Sequence, residues 1–361
     1  MIDPVLIQSR AVLLGIACGE ALSWSSLFLR SDNLPPWLAR NRREIEADLK
    51  TQNITSVPKP FSLNQSPEPL KPGPGDFSEW SAWTASLLIE NEGNLTHSIL
   101  HSAWEKLAAN RKQIHGRISI QAALRNIESG MTAPQSGRFN PHYFDDAALA
   151  RAAVIGVANR GNESRARALV ELDASFTHFE DGVWSAVAIA SLFCLACNGA
   201  SVEKMIQNGI SNLPAGSLAS NWVCAALEGN NSNENSILST TLYLNSEVCN
   251  QIYSYGNIAH EMLASLLVIL KNTAGDFDKM IACAALLPST GSGLLALCTA
   301  LAALLNPNAF LESAMLDQYL CKLKGNSLPE LKDVDLIELS QRLASHIAQK
   351  NRVDREDNSQ V

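Results

Sequence analysis

Aromatic residues make up only 6% of this 361-residue chain, and charged residues only 18%. The apolar stretches are built from Ala, Leu and Ser, with no long alternation of β-branched residues, so a sheet protein is excluded and closely packed helices are expected. Cations are sparse as well: the net charge is −8, and the one basic cluster, Arg40, Arg42 and Arg43, is diluted by Glu44, Glu46 and Asp48. With no basic stripe to displace counterions there is no nucleic-acid patch, and this cluster reads as a solvated helix face. The longest apolar runs, about Val183–Cys197 and Leu294–Leu305, contain Ser or Thr and fall short of the ~20 residues of a bilayer span. They read as buried central helices of a soluble, membrane-free protein. The N-terminus shows no basic flank and cleavage pattern of a secretory leader. Eight cysteines are too few for a disulfide scaffold. Cys194-Leu195-Ala196-Cys197 lacks a second pair and reads as buried thiols beside a redox or zinc alternative. The cytoplasm is the expected compartment.

Along the chain, apolar periodicity predicts helices over Val5–Trp24, Glu79–Glu90, Leu95–Asn110, Ile118–Glu128, Asp145–Ala158, Ser164–Thr177, Val183–Gly199 and Val202–Gln207. It predicts further helices over Ala259–Asn272, Phe277–Leu287, Gly291–Leu304 and Leu331–Gln349. Residues 31–75 hold eight of the fifteen prolines and read as a loop or insert, with one charged helix around Leu38–Leu49. Asn230–Asn235 stays unassigned. The expectation is an all-α, compact orthogonal multi-helix bundle forming one domain over 1–350, with 351–361 a frayed tail.

Five segments, in chain order, carry the candidate chemistry. In Gly15-Ile16-Ala17-Cys18-Gly19-Glu20-Ala21-Leu22-Ser23 the two glycines lie four apart on one helix face, where missing side chains permit close backbone contact. Gly75-Asp76-Phe77-Ser78-Glu79-Trp80-Ser81 reads as a helix start, with Ser78 as N-cap and Glu79 in the first turn. Asp145-Asp146-Ala147-Ala148-Leu149-Ala150-Arg151 is either a helix start whose carboxylates favour the dipole or a loop facing a ligand. Phe176-Thr177-His178 precedes a long helix, its His open to a structural or a binding role. Ala274-Gly275-Asp276-Phe277-Asp278-Lys279 places two carboxylates after a glycine at a helix start, open to capping or metal binding.

Together these segments resemble the ADP-ribosylglycohydrolase family, over about residues 11–304. The first is similar to the family's G-x-x-x-G-D-A-L-G. In the second, Ser78, Glu79, Trp80 and Ser81 fall on its T-D-D-T metal motif. The third matches G-N-G-A-x-M-R-x-x-P-L-G at Ala148, Arg151 and Gly156, the fourth its T-H, and the fifth its G-G-D-x-D-T-x-A.

The resemblance implies an all-α fold and hydrolysis of the glycosidic bond between ADP-ribose and an acceptor, assisted by Mg²⁺. It implies Ser78, Glu79, Asp276 and Asp278 as metal ligands, with Glu79, Asp276 and Asp278 also catalytic. Asp146, His178, Gly275 and Lys279 would face the substrate, which is ADP-ribose or an ADP-ribosylated group. Mg²⁺ takes oxygen ligands in an octahedron, and a pair of ions can orient ribose hydroxyls and water. Where the family pattern supplies four Asp, this chain places Glu79, Trp80, Asp276 and Asp278, and Lys279 replaces the following Thr. The reduced negative charge points to one Mg²⁺ rather than two, with Lys279 in place of the second. Asp145 and Asp146 in place of Gly and Asn would repel a diphosphate. Two further readings follow: a catalytically impaired pseudoenzyme serving as a binding or regulatory module, and an enzyme acting on another ribosyl compound.

Overall fold

Two glycines four residues apart decide how the N-terminal helix enters the core. In a computed structural model, described over residues 3–26, 73–229, 236–252, 257–287, 290–312 and 321–358, helix α1 spans Pro4–Ser26 and α14 spans Gly293–Leu305. A Cβ on Gly15 would lie 2.7 Å from the Ala300 Cα, and one on Gly19 would lie 2.5 Å from the Ala296 Cα. The two backbones therefore touch, and Ala11–Cys18 and Leu294–Ala303 are buried along the crossing. By length and composition α1 is apolar enough to cross a membrane, but two-thirds of its apolar window is buried inside this fold.

Around that pair run α2 (Asp76–Glu90), α3 (His97–Ala109), α4 (Ile118–Glu128), α5 (Gln135–Arg138), α6 (Ala147–Ala158), α7 (Glu163–Ala174) and α8 (Asp181–Cys197). There follow α9 (Val202–Ser211), α10 (Leu218–Gly229), α11 (Ile237–Tyr243), α12 (Ala259–Thr273), α13 (Phe277–Ala285), α15 (Pro307–Glu312) and α16 (Leu336–Asn358). A short π-helical turn covers Leu244–Val248, and 3₁₀ turns cover Arg111–Gln113 and Pro329–Leu331. Among the described residues there is no strand, only the isolated bridges Asp145–Ile258 and Lys322–Asp335. The all-α expectation holds. α6 and α8 are buried along almost their whole length, which explains why they read as apolar all round. The C-x-x-C motif lies inside α8 with both thiols buried, and burial pushes the Cys197 thiol up to about 12. These are inert core cysteines.

Four local expectations change. Helix α2 starts three residues before the predicted Glu79, with Gly75 at its N-cap, so Ser78 is inside the helix. Helix α6 starts at Ala147, leaving Asp145 and Asp146 just outside it. Helices α10 and α11 were not predicted: the exposed Leu238 and Leu242 on α11 blur its apolar stripe. Helix α16 runs through 351–358, which was expected to fray. The Pro-rich stretch up to residue 72, including Leu38–Leu49, and the Asn-rich 230–235 lie outside the described residues.

Gly19→Ala is expected to destabilise the protein by about 2–3 kcal/mol, because the added methyl meets backbone that cannot rotate away. Urea denaturation checks this; an unchanged midpoint would show that the helices slide apart freely.

Candidate functional site

The starts of six helices meet at one end of the bundle, around Asp145 and Asp146. The Ser119 N–H of α4 and the Ala147 N–H of α6 both donate to the Asp145 carboxylate, at 3.1 and 3.0 Å. The Ser119 hydroxyl adds a third bond at 2.7 Å. The Ala259 N–H at the start of α12 donates to the Phe144 carbonyl, and the Asp146 N–H donates to the Asn257 carbonyl. Gly182, in the first turn of α8, packs against the Tyr143 carbonyl. Gly293 opens α14 against Asp146 and Phe77: a Cβ there would lie 2.6 Å from Asp146 Oδ2 and 2.9 Å from Phe77 Cζ. Phe77 itself belongs to the first turn of α2. Converging helix starts create a positive potential that favours anions.

That potential is met from within the chain. Glu20, near the end of α1 and 3% exposed, accepts the N–H groups of Gly75, Phe77 and Ser78 at 2.8–2.9 Å, and the Ser78 hydroxyl at 2.5 Å. Burial pushes the Glu20 carboxyl above its ordinary range, with the Ser78 bonds pulling the other way. Asp76 Oδ1 accepts from Trp80 Nε1 at 3.1 Å and from the Ser327 hydroxyl at 2.8 Å. Asp76 Oδ2 is buried, accepts no hydrogen bond, and lies 3.7 Å from Arg117 NH1. Asp146 is fully buried and holds the Arg117 guanidinium at 2.7 Å to Nε and 3.3 Å to NH2. The Arg117 Cζ stands 5.4 Å over the Phe77 ring, and its side chain is 22% exposed, so Arg117 and the 17%-exposed Asp76 are where this cluster meets solvent.

Each ionisation follows from these contacts. Burial pushes the Asp145 carboxyl up, but hydrogen bonds from His178, Ser119 and Ala147 outweigh it and hold the group below its ordinary value. For Asp146, burial wins together with the charges of Asp145 and Asp76; Arg117 only moderates the rise, and the group is raised to about 6. Burial alone would loosen the Arg117 proton, yet Asp146 and Asp76 more than offset it, so the guanidinium stays charged.

The predicted site residues do not form one site. Ser78 does reach the cluster, but as a donor to Glu20. Glu79 is fully buried and accepts the N–H groups of Asn326, Ser327 and Leu328 at 2.7–2.9 Å, so its carboxylate is taken up by that loop. Trp80 is in the core, stacked on Trp104 with ring centres 5.5 Å apart, and displaces no ligand. Asp276, Asp278 and Lys279 are exposed, and Asp276 caps its own helix by accepting the Lys279 N–H at 3.0 Å. Gly275, with φ +78, turns the chain beside Leu305, and its carbonyl accepts from Asn306 Nδ2 at 2.7 Å. Leu305 ends α14, whereas Gly293 at its start touches Asp146, so the thirteen-residue helix separates the two places by about 18 Å. Asp276, Asp278, Gly275 and Lys279 therefore cannot share a centre with Asp146.

His178 is fully buried rather than facing a ligand. Its Nε2 lies 3.0 Å from the Asp145 carbonyl and 3.1 Å from its carboxylate, and its Nδ1 lies 2.6 Å from Thr177 Oγ1. Thr177 Oγ1 in turn accepts from Arg151, whose buried guanidinium also binds Asp173 at 2.7 Å and lies 5.3 Å over Trp104. Sequence reasoning missed Glu20, Asp76 and Arg117. Glu20 and Asp76 sat inside quoted motifs; reading Gly75-Asp76-Phe77-Ser78 on T-D-D-T instead would have placed Asp76 and Ser78 at the cluster. No local signal links Arg117 to Asp146.

The donor set does not fit Mg²⁺. The ion demands an octahedron of oxygens at about 2.0–2.1 Å. Here the carboxylates of Glu20 and Asp145 cap backbone N–H groups, both Asp146 oxygens hold a guanidinium, and Asp76 Oδ2 alone accepts no hydrogen bond. Thr290–Gly293, the segment leading into α14 at Asp146, carries no carboxylate. Among the described residues no three His, Cys, Asp or Glu side chains converge as a metal site.

Residues 4–289 match the family model described as ADP-ribosylglycohydrolase. Among curated proteins none matches the chain.

Two buried groups titrate with opposite sign. The folded Asp146 keeps its proton up to about 6, against 3.8 when unfolded, so the folded state loses stability as pH rises through that window. Asp146→Asn should remove that loss, shifting its stability relative to wild type by about 3 kcal/mol in its favour from about pH 4 to about pH 7. His260, in the first turn of α12, is 1% exposed with neither ring nitrogen hydrogen-bonded, and burial lowers it from 6.5 to about 4. There the unfolded state binds the extra proton, and stability falls as pH drops through the window. His260→Phe should abolish this acid-side loss of about 3 kcal/mol. Denaturant midpoints of both variants across that pH range test the pair; parallel wild-type and variant curves would refute the assignments.

Proposed function

The chain belongs to the ADP-ribosylglycohydrolase family, and from that premise we propose that it is a catalytically impaired member, a binding or regulatory module for ADP-ribose or an ADP-ribosyl group. The observation that carries this reading is the bidentate Arg117–Asp146 pair at the meeting point of the helix starts. Glycosidic cleavage passes through an oxocarbenium-like state that needs a free carboxylate nearby for charge stabilisation or for activating water. A guanidinium offers neither: it has no acceptor, does not deprotonate, and repels developing positive charge, and the unengaged Asp76 Oδ2 is buried 3.7 Å from it. What it offers is recognition: Arg117 is a fixed, partly exposed donor beside helix N-termini, and the Asp145 and Asp146 charges that would oppose a diphosphate are already met by Ser119, Ala147, His178 and Arg117. Among the described residues no cluster of carboxylates supports the Mg²⁺-assisted hydrolysis implied by the resemblance.

With ADP-ribosylated arginine and serine peptides and Mg²⁺, no release of ADP-ribose above the protein-free background is expected, while ADP-ribose itself raises the melting midpoint. Release that disappears in Asp146→Asn would overturn the proposal and restore the hydrolase reading.

A further inference from the structure

We propose that Arg117 is a built-in cation that takes the place of a divalent ion at this site, making the protein independent of divalent metal. Four carboxylates, Glu20, Asp76, Asp145 and Asp146, are gathered at the converging helix starts, and all but Asp76 are at least 97% buried. Glu20 and Asp145 are met by backbone N–H donors, whereas Asp146 and Asp76 carry like charges that a cation must offset. The chain supplies one from a fixed point. Arg117 is the N-cap residue of α4, and α4 is pinned two residues later by the Ser119 bonds to Asp145. From there its side chain reaches both Asp146 and Asp76.

Two further positions are shaped to receive it. Phe77 follows Asp76 and presents its ring to the guanidinium, a face that an arginine uses and a hydrated metal ion does not. Gly293 leaves the space in which Phe77 and Asp146 approach each other, space that any larger side chain would fill. Arginine, phenylalanine and glycine thus form one complementary set. A fixed side-chain cation also has no exchangeable ligand positions, so it pairs with Asp146 and Asp76 without offering a place for water or a ribose hydroxyl. The inference is independent of the proposed lack of turnover: a metal-free hydrolase would leave it standing.

The test uses the full chain, Mn²⁺ as the probe, and electron paramagnetic resonance with thermal melting as readouts. Wild-type protein is expected to bind no Mn²⁺ and to melt identically in EDTA and in millimolar Mg²⁺. Arg117→Met is expected to melt lower in EDTA, to gain Mn²⁺ affinity by about tenfold or more (about 1.4 kcal/mol), and to recover stability when Mn²⁺ is added. Stoichiometric Mn²⁺ on the wild type would overturn the proposal, as would loss of stability in Arg117→Met with no gain in Mn²⁺ affinity. If Arg117→Met does not fold in EDTA, Arg117→Lys decides: it should fold and stay blind to Mn²⁺. A lysine variant as defective as the methionine one would show that the charge is not what matters.

Discussion

The Asp145 carboxylate, held by two helix starts and a histidine, is the contact on which the rest of this end of the molecule depends. A buried carboxylate is costly unless donors surround it. Asp145 has them: Ser119 from α4, Ala147 from α6, and His178, itself steadied by Thr177 and Arg151. Loss of this carboxylate would orphan two backbone N–H groups together, leaving His178 Nε2 on the Asp145 carbonyl. Its backbone also pairs with Ile258, which brings in the start of α12. One residue therefore sets the mutual position of three helices, two through its side chain and one through its backbone, and Asp146 inherits its place from that arrangement.

The same device recurs in the bundle. Glu20 receives three N–H groups from 75–78, Glu79 receives three from 326–328, and Glu261 receives three from 250–252. Clusters of successive N–H groups are concavities that bind anions. This protein fills several of its own with glutamate. The Glu20 and Glu79 bonds fix a helix start or loop to a helix distant in sequence, and the Glu261 bonds fix the turn just before its own helix.

Much of the fold was legible because buried helices write their apolar content directly into sequence. Gly15 and Gly19 announced a close crossing, though not with which helix. The site was far less legible, for a chemical reason. Asp, Ser and Glu are the residues that cap helices, and they are also the residues that ligate Mg²⁺. Asp276 and Asp278 have the expected spacing after a glycine, yet Asp276 caps and Asp278 is exposed. Glu79 sits one residue beyond Ser78 and, at about 100° of helical rotation, faces a different neighbour. The Arg117–Asp146 pair spans 29 residues and obeys no periodicity, so only the folded chain reveals it.

A tethered cation differs from a bound ion in what it makes possible. A metal that must be recruited ties stability to its concentration, and it brings open coordination positions where substrate atoms and water are oriented. A guanidinium is always present, because its neighbours hold it charged and α4 holds it in place. Its donors point in fixed directions within one plane, and two of them are already engaged by Asp146. On the proposal that Arg117 stands in for a metal, the exchange would preserve the electrostatic reason for the fold while removing the chemical reason for the site. Phe77 fits the same logic: beside a metal a ring there would remove a ligand, whereas beside Arg117 it completes the packing. The helix starts still converge, because Glu20 and Asp145 are met by backbone N–H groups while Asp146 and Asp76 are met by Arg117.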